Sequence, residues 1–139
     1  MKNFEEYLKK GIVKTRKKNV ARVKSILEEA DKRLKFYNAI SVSEESANYI
    51  IENMYEVIRE LIEAKMILEG YKSYSHEATV SYLKKLGFSS SEVEFMDELR
   101  SIRNQTRYYG HLVNVEYAKK VSEFVNKTYP RLKTLIKVN

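Results

Sequence analysis

Apolar residues recur at helical spacing along nearly the whole of this chain. Val20, Val23, Leu27, Ala30, Leu34 and Tyr37 follow at alternating intervals of three and four. They therefore form one stripe on a helix from about Asn19 to Asn38. Before that stripe, Phe4, Tyr7 and Leu8 predict a short helix, broken near Gly11 by the basic run Lys14-Thr15-Arg16-Lys17-Lys18. No segment alternates with period two for long enough to predict a strand.

A second long helix opens at Ser41, where Glu44 three residues on completes a capping box. It carries Ala47, Ile50, Ile51, Met54, Val57, Ile58, Leu61, Ile62 and Leu68 and ends at Gly70. That face is broad enough to meet several neighbours, which predicts a central position. A short helix follows from about His76 to Leu86 and stops at Gly87. Ser91 and Glu94 offer another capping box, and Val93, Met96, Leu99, Ile102, Thr106 and Tyr109 carry that helix to Gly110. The last helix opens near Asn114 and runs to Ile136, with Pro130 inside it as a predicted kink or break.

Four Gly and one Pro in 139 residues leave room for few turns, and a chain of this length fits one domain. The predicted fold is all-α: an antiparallel four-helix up-and-down bundle with one short extra helix, a single domain over residues 1–139. The apolar faces of the second and fourth long helices exceed what so small a bundle needs, so a homodimer through them is expected.

Composition removes several kinds of chemistry. The absence of Cys excludes disulfides, thiolate zinc sites and Cys nucleophiles. The two His, His76 and His111, are far apart in the chain and do not make a metal site by themselves; no metal and no cofactor is expected. The first residues carry no apolar run, and no stretch approaches ~18 uninterrupted apolar residues. A soluble cytoplasmic protein with no membrane partner is the expectation.

The net charge of +7 is unevenly spread. Residues 1–40 carry twelve Lys/Arg against five Asp/Glu, residues 41–100 six against twelve, and residues 101–139 eight against two. Both ends are basic and the middle is acidic. Either the solvated helix faces simply differ in sign, or the terminal helices form one basic surface for a polyanion.

One segment stands apart from the Lys/Glu surface: Arg103-Asn104-Gln105-Thr106-Arg107-Tyr108-Tyr109-Gly110-His111. It groups a phosphate-binding fork, amide and phenol hydrogen-bonders, and a side chain able to move a proton near neutral pH. At ~100° per residue Arg103 falls on the edge of the apolar stripe, one turn beyond Leu99. Such an Arg is either a phosphate ligand or the partner of an acidic residue on the middle helices. Tyr108 and Tyr109 beside two arginines are suited to stacking a splayed base. His76, beside Ser75 and Glu77 at a helix start, reads first as a capping or loop-anchoring residue.

Arg103-Asn104, with the junction Gly70-Tyr71-Lys72-Ser73-Tyr74-Ser75-His76-Glu77-Ala78, resembles the HEPN family of helical domains found in prokaryotic toxins and RNA-processing enzymes. The order and lengths of the helices are similar as well, so the resemblance covers most of the chain. It implies a two-fold dimer that brings an Arg and a His of each subunit into one cleft and cleaves single-stranded RNA without metal. On that resemblance Arg103 and His111 are the catalytic pair, and Asn104, Arg107, Tyr108 and Tyr109 contact substrate. Arg would hold the scissile phosphate and His would carry the proton for 2′-hydroxyl attack. The partner implied is a small nucleotidyltransferase acting as antitoxin. Seven residues separate Arg103 from His111, more than the family's usual interval, and Gly110 stands between them as a helix-ending residue. Two other readings therefore remain beside the ribonuclease: a module that binds RNA or nucleotide without cutting it, and a helical protein whose dimer face is its whole function.

Overall fold

The computed structural model describes residues 1–109 and 114–138, and for residues 105–109 the backbone alone. Among the described residues the chain is mostly helical. Its elements are α1 (Phe4–Lys9), β1 (Val13–Thr15), α2 (Val20–Asn38), α3 (Ala47–Leu68), β2 (Tyr71–Ser73), α4 (His76–Lys85), α5 (Ser90–Tyr109) and α6 (Val115–Thr134). None of these helices is long and apolar enough to cross a membrane.

The breadth of α3's apolar face is explained by its place. It packs against α2, α4, α5, α6 and β2, and Ile50, Ile51, Met54, Val57, Ile58, Leu61 and Ile62 are all buried. Each such side chain stabilises the fold by roughly 1.5–3 kcal/mol on leaving water. The surplus apolar area of α3 is thus covered within the chain itself. On α2, Val23 and Ala30 are buried while Leu27, Leu34 and Tyr37 pack on the core more openly. Val20, at the head of that stripe, is exposed.

The strandless expectation is corrected by β1 and β2. They pair antiparallel with Val13 opposite Ser73, Lys14 opposite Lys72 and Thr15 opposite Tyr71. Three residues per strand are too few to leave a period-two signature, and the pairing joins segments separated by α2 and α3. Among the described residues the two short helices expected near Phe4 and from His76 are α1 and α4, so the bundle carries two short extra helices rather than one. The turn from α3 into β2 is made by Gly70 at φ +89°, where an added Cβ would lie 3.3 Å from the Arg16 carbonyl oxygen. The Arg16 amide in turn donates to the Gly70 carbonyl at 2.8 Å. A glycine there lets the basic run Lys14–Lys18 lie directly on the α3–β2 corner.

Neither predicted capping box forms where expected: α3 has no side-chain cap, and the box before α5 is shifted. At the start of α3, Ser46 donates through Oγ to the Ser41 carbonyl at 2.7 Å, while the Ser43 amide donates to Ser46 Oγ at 2.9 Å. These local serine bonds compete with helix formation, and α3 begins only at Ala47. The box before α5 forms two residues early: the Ser89 amide donates to Glu92 Oε1 at 2.9 Å and the Glu92 amide to Ser89 Oγ at 3.2 Å. Glu92 also holds Arg131 of α6, a tertiary contact that selects this register. Asn114 caps α6 as expected, accepting from the Tyr117 amide at 2.8 Å. Pro130 does not interrupt α6, which continues to Thr134. Thr128, Tyr129 and Leu132 are buried around it, and that packing outweighs the one lost backbone bond.

Candidate functional site

Arg103 is carried to the core edge by the stripe predicted for α5. Val93, Met96 and Leu99 are buried, and the next turn delivers Arg103 beside α3. It is only 8% exposed. Its Nη2 lies 3.1 Å from Glu56 Oε1, an ion pair without hydrogen-bond alignment. Its Cζ sits 5.7 Å from the centre of the Tyr55 ring. Arg103 is thus paired with a carboxylate of a middle helix.

Glu56 holds two arginines. Arg59 donates to its Oε2 from Nη2 at 2.7 Å and from Nε at 3.1 Å, and reaches Glu63 at 2.9 Å as well. Burial by itself would push the Glu56 carboxyl up, but the Arg59 hydrogen bonds and the charges of Arg59 and Arg103 prevail and hold it below its ordinary value. Tyr55 is fully buried, its hydroxyl has no partner among the described residues, and burial pushes its pKa up to about 12.

His76 joins this group from α4. Ser75, not His76, caps that helix: its Oγ accepts from the Ala78 amide at 3.0 Å. The His76 ring is thereby left beside Tyr55, with ring centres 6.4 Å apart. Partial burial, then the charges of Arg59 and Arg103, lower the His76 pKa below its ordinary value, with Glu56 pulling the other way. Burial and the arginine charges both favour the neutral imidazole. Glu77 acts as a tie between elements: it accepts from the Tyr7 hydroxyl of α1 and lies 4.0 Å from Arg100 of α5.

Arg103 and Asn104 line an open cavity of about 610 Å³ together with His76, Glu77, Arg100 and Lys2. Three cations and one carboxylate line it; Arg103 is paired with Glu56 and Arg100 with Asp97 at 2.8 Å, and Lys2 has no ion pair among the described residues. The structure brings Arg103 and Asn104 to this cavity. Arg107, Tyr108 and Tyr109 fall in the last turns of α5, where side chains lie outside the described residues, and His111 lies outside them altogether. The sequence reading missed Glu56 as the holder of Arg103 and His76 as its neighbour. A faint signal was available for the first: Glu56 and Arg59 stand three apart on α3 among apolar residues. No local signal marks the second. Among the described residues no group of His, Asp and Glu could hold a metal ion.

Comparison with protein-family models, curated proteins and solved structures finds no match.

Proposed function

We propose that the chain is a HEPN-like module that grips single-stranded RNA by its phosphates at the cavity beside Arg103. The observation that carries this reading is the placing of the Arg103 fork and the Asn104 amide on one open cavity with Arg100 and Lys2. Arg recognises phosphate geometry with its planar array of donors. Glu56 already pairs with that fork, so a phosphate must compete with a carboxylate for it. The antiparallel arrangement of α2, α3, α5 and α6, a homodimer that doubles the basic surface, and a nucleotidyltransferase partner belong to the same reading and are carried by the resemblance.

The presence of His76 on the same cavity favours a second reading, metal-independent cleavage. A neutral imidazole there can take the proton of a ribose 2′-hydroxyl as its oxygen attacks the phosphorus. The bond to the 5′ oxygen breaks, that oxygen takes up a proton, and a 2′,3′-cyclic phosphate remains. The need for a 2′-hydroxyl would restrict cleavage to RNA.

One experiment addresses both readings: incubation with a labelled single-stranded RNA in EDTA, reading anisotropy and product ends. In a binding module, Arg103→Ala should weaken binding by about 1.5–3 kcal/mol, as for a lost charged hydrogen bond, and no cyclic phosphate should form. Cyclic-phosphate ends that vanish in His76→Ala or His111→Ala would establish the second reading and name its proton carrier. Unchanged RNA affinity in a folded Arg103→Ala variant would overturn both.

A further inference from the structure

A second basic cavity, of about 600 Å³, lies on the other side of His76, between the β1–β2 pair and the starts of α2 and α4. Five cationic side chains line it (Arg16, Lys17, Arg22, Arg59 and Lys72) against a single carboxylate, Glu63. That carboxylate is already shared, reaching Arg22 at 3.3 Å and Arg59 at 2.9 Å, and Arg59 is held by Glu56 as well. Among the described residues Arg16 is anchored on neutral oxygens, those of the Thr15 carbonyl at 3.0 Å and the Tyr74 hydroxyl at 2.7 Å. Lys17 and Lys72 form no ion pair among the described residues.

The fold concentrates this charge against its own electrostatic interest. Lys14 and Lys72 are direct partners in the β1–β2 register, and like charges opposite one another destabilise a strand pair. Both amines, with the Arg16 guanidinium, gather within 5.6–5.9 Å of the exposed Tyr74 ring. The first turn of α2 has no acidic residue, and Lys17-Lys18 immediately precede its N-cap Asn19, so cations stand near the positive end of the helix dipole. An anion in the cavity offsets the charges of Arg16, Lys17 and Lys72, which line it. The floor is apolar, made by Met66, Ile67 and Tyr71, and the volume is that of a small-molecule pocket.

We propose that this cavity is a nucleoside-phosphate site, its phosphate held by Arg16, Lys17 and Lys72 and its nucleoside lying on the apolar floor. The nucleotide is either a free one or a unit of an RNA strand. The two cavities share Ser75 and His76 in their linings, so a strand seated beside Arg103 has a continuous path into this one. The site does not depend on the reading of the Arg103 cavity.

The test uses calorimetric titration of the full chain with uridine monophosphate, with uridine, and with a short single-stranded oligouridylate. The variants are Lys17→Ala/Lys72→Ala, whose side chains are exposed, and Arg103→Ala, with melting curves to confirm folding. A free-nucleotide site gives saturable uridine monophosphate binding that weakens by about tenfold or more in the double variant. A strand-borne unit gives no binding of the mononucleotide, but the oligouridylate weakens about tenfold or more in the double variant. Uridine binding as tightly as its monophosphate overturns the proposal. So does a double variant that binds both phosphate ligands as wild type does. If only Arg103→Ala impairs the oligouridylate, this site falls while the RNA reading of the Arg103 cavity stands; if only the double variant does, the reverse holds.

Discussion

Replacing Glu56 by Gln tests the centre of this structure, because it removes one charge and keeps the shape. Glu56 holds Arg59 at 2.7 Å and Arg103 at 3.1 Å, with side-chain exposures of 15%, 19% and 9% for the three residues. Removing one partner of a buried pair costs about 3–5 kcal/mol, since the other charge is left uncompensated. Two features reduce that figure here: Arg59 keeps Glu63 at 2.9 Å, and the Gln amide oxygen still accepts one hydrogen bond. The expected loss is therefore about 2–3 kcal/mol. For a chain of this length that corresponds to a fall in Tm of roughly 6–12 °C. Thermal and urea unfolding followed by circular dichroism at pH 7 measures it. The Glu56 carboxyl is held below its ordinary value of 4.5, so its contribution is fully present above about pH 4.5 and is lost as pH falls through the folded-state value. The difference between wild type and Glu56→Gln should accordingly shrink in acid. With the competing carboxylate gone, anion affinity at the Arg103 cavity should rise, and RNA should restore part of the lost Tm by mass action. A loss below about 0.5 kcal/mol, within the range of ordinary surface changes, would show that Glu56 is effectively solvated and would refute the reasoning.

Ser89→Ala should destabilise by about 1 kcal/mol through loss of the N-cap of α5, whereas Ser91→Ala should be nearly silent; urea unfolding of the two variants compares them directly. The His76 imidazole should titrate below 6.5 by NMR, because burial and then the charges of Arg59 and Arg103 disfavour its charged form. Arg103→Ala should move that midpoint upward. Because the folded-state value is depressed, whatever stability His76 contributes is present above its unfolded pKa and diminishes as pH falls through about 6.5. A midpoint at or above 6.5 in the wild type would contradict the placing of His76 beside these arginines.

Helix positions were legible in this chain because helical periodicity is local: α2, α4 and α6 begin within a residue of their predicted starts. The central place of α3 was legible too, since a stripe as wide as Ala47 to Leu68 must touch several neighbours. Arg103 could be placed at the core edge by counting turns from Leu99. The sequence could not decide which S-x-x-E pair caps α5. Ser89 and Ser91 satisfy the local rule equally, and Arg131 of α6, holding Glu92, makes the choice. The β1–β2 pair was likewise hidden, because three-residue strands have no period to detect and their partners lie far apart in the chain. The same physical reason governs the candidate site. Arg103 from α5, Glu56 from α3 and His76 from α4 meet only when the three helices pack, so the sequence determined that an Arg stands at the core edge, and tertiary packing decided that it stands against a carboxylate and beside a histidine.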